Sequence, residues 1–179
     1  ELFVDEEFKK ELLSKNIKLS SANSINIGRL IPQVVYYVVS YLDLVNTNKI
    51  KLNDKVNFVV PTGNFGNILA GYYAEQIGLP VNKLVCASNN NNVLYDFLTT
   101  GVYDKNRDFL KTVSPSMDIL ISSNLERLLY YISGCDNAYI AKLMKDLKET
   151  GRFEVTGEIL DKIKDKFQAG FADDEQTKE

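Results

Sequence analysis

Val59-Val60-Pro61-Thr62-Gly63-Asn64-Phe65-Gly66-Asn67 is the stretch on which the fold turns. It ends the β-branched run Val56-Asn57-Phe58-Val59-Val60, which predicts a buried strand. It leads into helical spacing from about Asn67 to Ile77. Gly78 then stands where a left-handed C-cap belongs, and Pro80 forbids continuation. Downstream, Lys83–Ala87 predicts the next strand, Ser88–Asn92 a polar connection, and Val93–Thr100 a helix. Gly101–Ser116 looks irregular, and Ile119-Leu120-Ile121 predicts a third strand. Ser123 and Glu126 have capping-box spacing for a helix that runs to about Ile132. Ile140, Leu143, Met144 and Leu147 mark another helix, Phe153-Glu154-Val155 a short strand, and Leu160, Ile163 and Phe167 a last helix. The polar tail from Ala172 is expected to fray.

Upstream, Leu30, Val34, Tyr37, Val38 and Tyr41 predict a long helix from Gly28 to about Asn46, with Pro32 tolerated only in its first turn. Val4, Phe8 and Leu12 share one face of an earlier helix, and Ile17–Ser20 reads as short and extended. Strands and helices in alternation, joined by short turns, predict an α/β fold of three layers: a mainly parallel, twisted sheet flanked by helices. Residues 1–171 are expected to form one unit and 172–179 a polar tail. Ligands of such sheets bind at the carboxyl ends of the strands, where loops lead into helices.

Composition narrows the chemistry. The 179 residues are 45% hydrophobic and 25% charged, enough for a core without staples. Lys and Arg number 21 and Asp and Glu 24, a net charge of −3 that draws in no polyanion. With no His, the chain by itself can form neither a Ser-His-Asp or Cys-His pair nor a His-ligated zinc site. Cys86, in the apolar run Leu84–Ala87, reads as a buried inert thiol, and Cys135 lies in a turn-like stretch. Two cysteines are too few for a disulfide framework, so a reducing cytoplasm is the expected compartment. No apolar run is long enough to cross a bilayer. The first residue is Glu1, so the chain is expected to be processed or cut from a longer one.

Three strand-to-helix connections could carry function. Gly63 and Gly66 permit positive φ and close backbone approach, so the 61–67 loop could form an amide nest at a helix N-terminus, a phosphate cradle that needs no basic residue. It could equally be a tight turn. No Gly-Lys-Ser/Thr follows, and the first glycine of the dinucleotide fingerprint is missing. The run Ser20-Ser21-Ala22-Asn23-Ser24-Ile25-Asn26-Ile27-Gly28-Arg29 offers hydroxyls, amides and a guanidinium to a carboxylate or phosphate, although Ser24 or Asn26 could simply cap the helix. The asparagines of Ser88–Asn92 form a third polar loop, or merely an N-cap. The pairs Tyr36-Tyr37, Tyr72-Tyr73 and Tyr130-Tyr131 read as packing on helices.

Together these segments resemble the threonine synthase family, in the tryptophan-synthase-β-like (fold type II) group of pyridoxal-phosphate enzymes. The carriers are Leu19–Leu30, Val60–Asn67, Ala87–Asn92, Phe97–Gly101 and Ser114–Ile119, in order and at approximate spacing, across about Val4 to Tyr131. The resemblance implies conversion of O-phospho-L-homoserine and water to L-threonine and phosphate, the last step of threonine biosynthesis. It implies that Gly63, Asn64, Phe65, Gly66 and Asn67 hold the phosphate of pyridoxal 5'-phosphate. Asn23, Ser24 and Arg29 would face the substrate. No nucleic acid, membrane or metal is implied. The family's imine-forming lysine has no counterpart in context among the lysines here. It is expected upstream, in missing N-terminal sequence, and the C-terminal part of the enzyme is expected to be absent or truncated. The chain thus reads as a central fragment, mostly the larger cofactor-binding domain, inactive by itself although its parent is an enzyme. The alternatives are another fold type II enzyme, such as a threonine dehydratase or cysteine synthase relative, or a non-catalytic phosphate-ligand-binding α/β domain.

Overall fold

A computed structural model of the chain describes residues 5–20 and 22–179. Glu1, the helix-face residue Val4 and the motif residue Ser21 lie outside them. Helix α1, Glu6–Ser14, is capped by Asp5, whose carboxylate accepts from the Phe8 amide at 2.9 Å. The extended stretch expected at Ile17–Ser20 enters no sheet. The long helix expected from Gly28 is three consecutive pieces: α2 (Ile27–Leu30), a 3₁₀ turn (Ile31–Gln33) and α3 (Val34–Asn46). Pro32 sits in the 3₁₀ turn, where the N–H that it lacks interrupts the α ladder. Leu30, Tyr37 and Tyr41 are buried, as their spacing predicts.

The main sheet has three parallel strands in the order β1 (Val56–Pro61), β2 (Val81–Ser88) and β5 (Phe167–Phe171). Val60 pairs with Cys86, which pairs in turn with Ala169. Helix α4 (Gly66–Gln76) connects β1 to β2, and α5 (Val93–Thr100) follows β2. After them come α6 (Leu125–Ile132), α7 (Asn137–Thr150), α8 (Gly157–Lys166) and α9 (Asp174–Lys178). The pair β3 (Val102–Asp104) and β4 (Arg152–Glu154) is antiparallel and separate, with Tyr103 stacked on Phe153 at 5.1 Å. The core between these layers holds Ile68, Leu69, Leu84, Cys86, Phe97, Leu128, Leu129, Ile163 and Phe167. Burial pushes the Cys86 thiol up to about 11, so it is inert at neutral pH. Both cysteines are free, and Cys135 is exposed. No helix among the described residues is long and apolar enough to cross a membrane. The tyrosine pairs pack as expected: Tyr37 is buried beside the exposed Tyr36, and Tyr73 meets Tyr131 edge-on at 5.5 Å.

Five expectations are corrected. β1 is an edge strand, not a buried one. Among the described residues it pairs only with β2, and Val59 is 67% exposed. Ile119-Leu120-Ile121 forms no strand, and a side chain takes its central carbonyl. The Tyr103 hydroxyl donates to the Leu120 carbonyl at 3.1 Å and accepts from the Ser122 amide at 2.8 Å. Phe167 ends helix α8 and begins β5, because β2 offers an open edge from Leu84 to Ser88. Ser123 closes no capping box: α6 starts at Leu125 without a side-chain cap. The tail is ordered into α9, where Asp173 and Gln176 form a reciprocal capping box.

The third polar loop is structural. Asp118 accepts from the Thr112 amide at 3.0 Å, the Thr112 hydroxyl at 2.8 Å, Asn89 at 2.7 Å and Asn91 at 2.9 Å. Asn91 also bonds both backbone groups of Leu110. These donors, the Thr112 amide first, hold the Asp118 carboxyl below its ordinary value. A depressed carboxylate stabilises above its unfolded pKa of about 3.9, and that stabilisation is lost as pH falls through the lower folded value. The knot tying residues 110–118 to Asn89 and Asn91 should therefore hold at pH 5 and loosen below about pH 4. Amide shifts of Leu110 and Thr112 followed through an acid titration check this. Asp118→Asn should remove the transition, and its persistence would assign it to another group.

Candidate active-site cleft

At the carboxyl end of β1 the chain enters the loop Thr62–Phe65 and then α4. The Thr62 amide still bonds the Ala87 carbonyl at 2.8 Å, so the loop leaves the sheet edge in register. Phe65, at the N-cap, holds the left-handed conformation with φ 59°. A non-glycine residue there is strained, and burial of its ring (1% exposed), 5.7 Å from the Phe167 ring, holds it in place. Neither Gly63 nor Gly66 has positive φ, which corrects one half of the sequence reading. What Gly63 provides is close approach: a Cβ there would lie 2.7 Å from the Ser116 carbonyl oxygen. A Cβ on Gly66 would meet nothing nearer than 3.4 Å.

The first turn of α4 leaves the amides of Gly66, Asn67 and Ile68 without intrahelical acceptors, and no side chain caps it. These amides open on a cleft of about 430 Å³. Its other walls are Asn23, Ser24, Arg29 and Gln33 on one side and Ser116 on another. The two predicted site segments, Asn23–Arg29 and Gly63–Asn67, therefore share one cleft. Among the described residues no carboxylate lines it, and the α4 dipole adds positive potential.

The polar walls are tied together. Asn64 Nδ2 donates to Ser24 Oγ at 2.6 Å, while its Oδ1 accepts from the Ser123 amide at 2.5 Å. Asn67 donates to Gln33 at 2.9 Å and accepts from the Tyr37 hydroxyl at 2.8 Å. Asn23 Oδ1 accepts from the Ile25 amide at 3.0 Å, and Asn26 caps α2 through the Gly28 amide at 2.9 Å, so capping by Asn26 is the outcome of that alternative. Arg29 is exposed, and its Nη1 donates to the Ala22 carbonyl at 2.9 Å; it makes no ion pair with an acidic residue among the described residues. Sequence reasoning missed Gln33, Ser116, Asn124 and Arg127. Gln33 lies one helical turn beyond Arg29 and could have been found by spacing. Asn124 is 100 residues from Ser24, and no local signal joins them.

No protein-family model matches the chain. It is 48% identical over 152 residues to human threonine synthase-like 1, covering 84% of this chain and 20% of that protein. Against the threonine synthase of Eremothecium gossypii it is 40% identical over 185 residues, 98% of this chain and 34% of the relative. The crystal structure of pyridoxal-phosphate-bound threonine synthase from Brucella melitensis superposes with a TM-score of 0.88 at 43% identity, over 98% of this chain and 36% of that one. The chain belongs to the threonine synthase family. It spans about a third of the length of the threonine synthases it matches. The match to those threonine synthases covers 98% of the chain, beyond the segments up to Tyr131 that carry the sequence resemblance.

Proposed function

We propose that this chain forms the pyridoxal-phosphate-holding part of an enzyme that converts O-phospho-L-homoserine and water to L-threonine and phosphate. The observation that carries the reading is the uncapped first turn of α4, opening on a cleft that no carboxylate among the described residues lines, and facing Asn23 and Arg29. Three convergent amides and a helix dipole suit a dianionic phosphate. The amides of Gly66, Asn67 and Ile68 would hold the cofactor phosphate, with Gly63, Asn64 and Phe65 shaping the loop. Bound there, the cofactor supplies an electron sink for chemistry beside an amino group. Arg29 and Asn23 are the candidates for the substrate's phosphate and carboxylate. The Ser24 hydroxyl is already bonded to Asn64, so it couples the substrate side to the phosphate loop.

No lysine lines the cleft. The chain alone is thus expected to bind pyridoxal phosphate through its phosphate and not covalently. In a titration followed by nuclear magnetic resonance, inorganic phosphate and pyridoxal phosphate should both shift the amides of Gly63–Ile68 at millimolar concentrations. Borohydride reduction should leave no stoichiometric lysine adduct. Unmoved amides with both ligands would end the phosphate reading, and one stoichiometric adduct would end the non-covalent one.

A further inference from the structure

Asn124 occupies the N-cap of α6 but caps nothing: its side chain takes no backbone amide of the helix that it begins. It is fully buried, at 0% exposure. Its amide nitrogen donates to the Asn64 carbonyl at 2.8 Å and to the Ser24 carbonyl at 3.0 Å. Its oxygen accepts from Arg127 Nη1, and Arg127 Nη2 donates to the Ile25 carbonyl at 2.7 Å. Both N–H donors and the oxygen of the amide are thus in use. Two of the three backbone acceptors belong to the Asn23–Arg29 wall of the cleft and one to the glycine loop. Neither Asn124 nor Arg127 lines the cleft.

A buried amide that forgoes its helix cap to bond two distant loops acts as a spacer between them. Polar sites work only when their parts are held to about 0.5 Å by supporting groups. We propose that Asn124, braced by Arg127, is the positioning residue that fixes the substrate-side loop 23–26 against the phosphate-side loop 63–67, so that the two respond to a bound anion as one unit. This rests on the phosphate reading of the α4 amides. The Asn64–Ser24 side-chain bond is a second tie across the same gap, and Asn124 sets the backbone on which that tie depends.

The test uses the 179-residue chain and the variants Asn124→Asp and Arg127→Met. Asn124→Asp keeps the size and the acceptor for Arg127 but turns a carboxylate oxygen toward two carbonyls. Backbone order parameters from relaxation should fall in both loops together, from about 0.85 to below about 0.6, while β2 stays rigid. Inorganic phosphate should shift amides in both loops of the native chain. In Asn124→Asp the shifts should be confined to Gly63–Ile68, with affinity at least ~10-fold weaker, a loss of about 1.4 kcal/mol. Arg127→Met, which leaves Asn124 in place, should give the same pattern at smaller amplitude and serves if Asn124→Asp does not fold. Unchanged order in the loops, an equal loss of order in β2, or shifts that still reach Ile25–Gly28 in the variant would each overturn the proposal. A native chain that ignores phosphate would overturn the phosphate reading instead, and the order parameters would then decide the brace by themselves.

Discussion

Gly63→Ala should weaken the binding of inorganic phosphate by at least ~10-fold, about 1.4 kcal/mol, and lower the thermal midpoint of the chain. The new Cβ would sit 2.7 Å from the Ser116 carbonyl oxygen and 3.3 Å from the Met117 Cα. Both are backbone atoms, so no side chain can swing aside. Overpacking of this kind costs about 1–3 kcal/mol. The strain must be relieved by moving either the 115–117 turn or the glycine loop, and the loop sets the direction of the α4 amides. Gly66→Ala is the contrast. Its Cβ meets Asn124 Nδ2 at 3.4 Å, an ordinary contact, and its φ is not positive. It should change stability by less than about 1 kcal/mol, since Ala is the better helix former. Melting curves and phosphate titrations of the two variants check the pair. If Gly66→Ala proved as unstable as Gly63→Ala, close approach at Gly63 would not be the reason for its glycine.

The largest effect on stability is expected at Gly101→Ala. Gly101 ends α5 in the left-handed region, φ 85°, with its amide on the Phe97 carbonyl at 2.8 Å. A Cβ there would lie 2.4 Å from the Val155 carbonyl oxygen. The Gly101 carbonyl accepts from the Val155 amide at 2.9 Å, the bond that begins the pairing of β3 with β4. Left-handed backbone costs an alanine about 1–2 kcal/mol, and the clash adds about 1–3 kcal/mol. The sum, about 2–5 kcal/mol, corresponds to a midpoint lowered by roughly 5–20 °C for a chain of this size. Gly134→Ala shares the positive φ, 75°, but has nothing within 4 Å. It should cost only the backbone share, about 1–2 kcal/mol. Equal losses in the two variants would refute crowding as the cause at Gly101.

Both cases show where local reading stops. That residues 63 and 66 are glycines in a strand-to-helix turn is visible, but of the two reasons the sequence offers, positive φ and close backbone approach, only close approach holds, and only at Gly63. The positive φ fell on Phe65, a residue whose type gives no hint of it, because burial of its ring against Phe167 outweighs the backbone strain. The same limit accounts for the strands. β1 and β2 were legible because β-branched residues recur in each. β5 was not: Phe167-Gln168-Ala169-Gly170-Phe171 has little intrinsic strand preference and becomes a strand because it completes the free edge of β2. Ile119-Leu120-Ile121 is the reverse, a strand pattern that pairs with no strand among the described residues, its Leu120 carbonyl and the next amide, Ser122, both bonded to the Tyr103 hydroxyl.

The sequence by itself determined the alternation of strand and helix from Gly28 to Thr100, the glycine turn at the end of β1 and the family resemblance that joined Asn23–Arg29 to Gly63–Asn67. These are local properties: side-chain period, turn chemistry and short motifs act over a few residues. Only the tertiary structure decided that the two segments face each other across one cleft, that Asn89 and Asn91 belong to a knot around Asp118, and that Asn124 spans both site loops. Each of these depends on hydrogen bonds between groups 27 to 100 residues apart, whose partners are chosen by how helices and strands pack and by the cost of leaving a buried polar group unpaired.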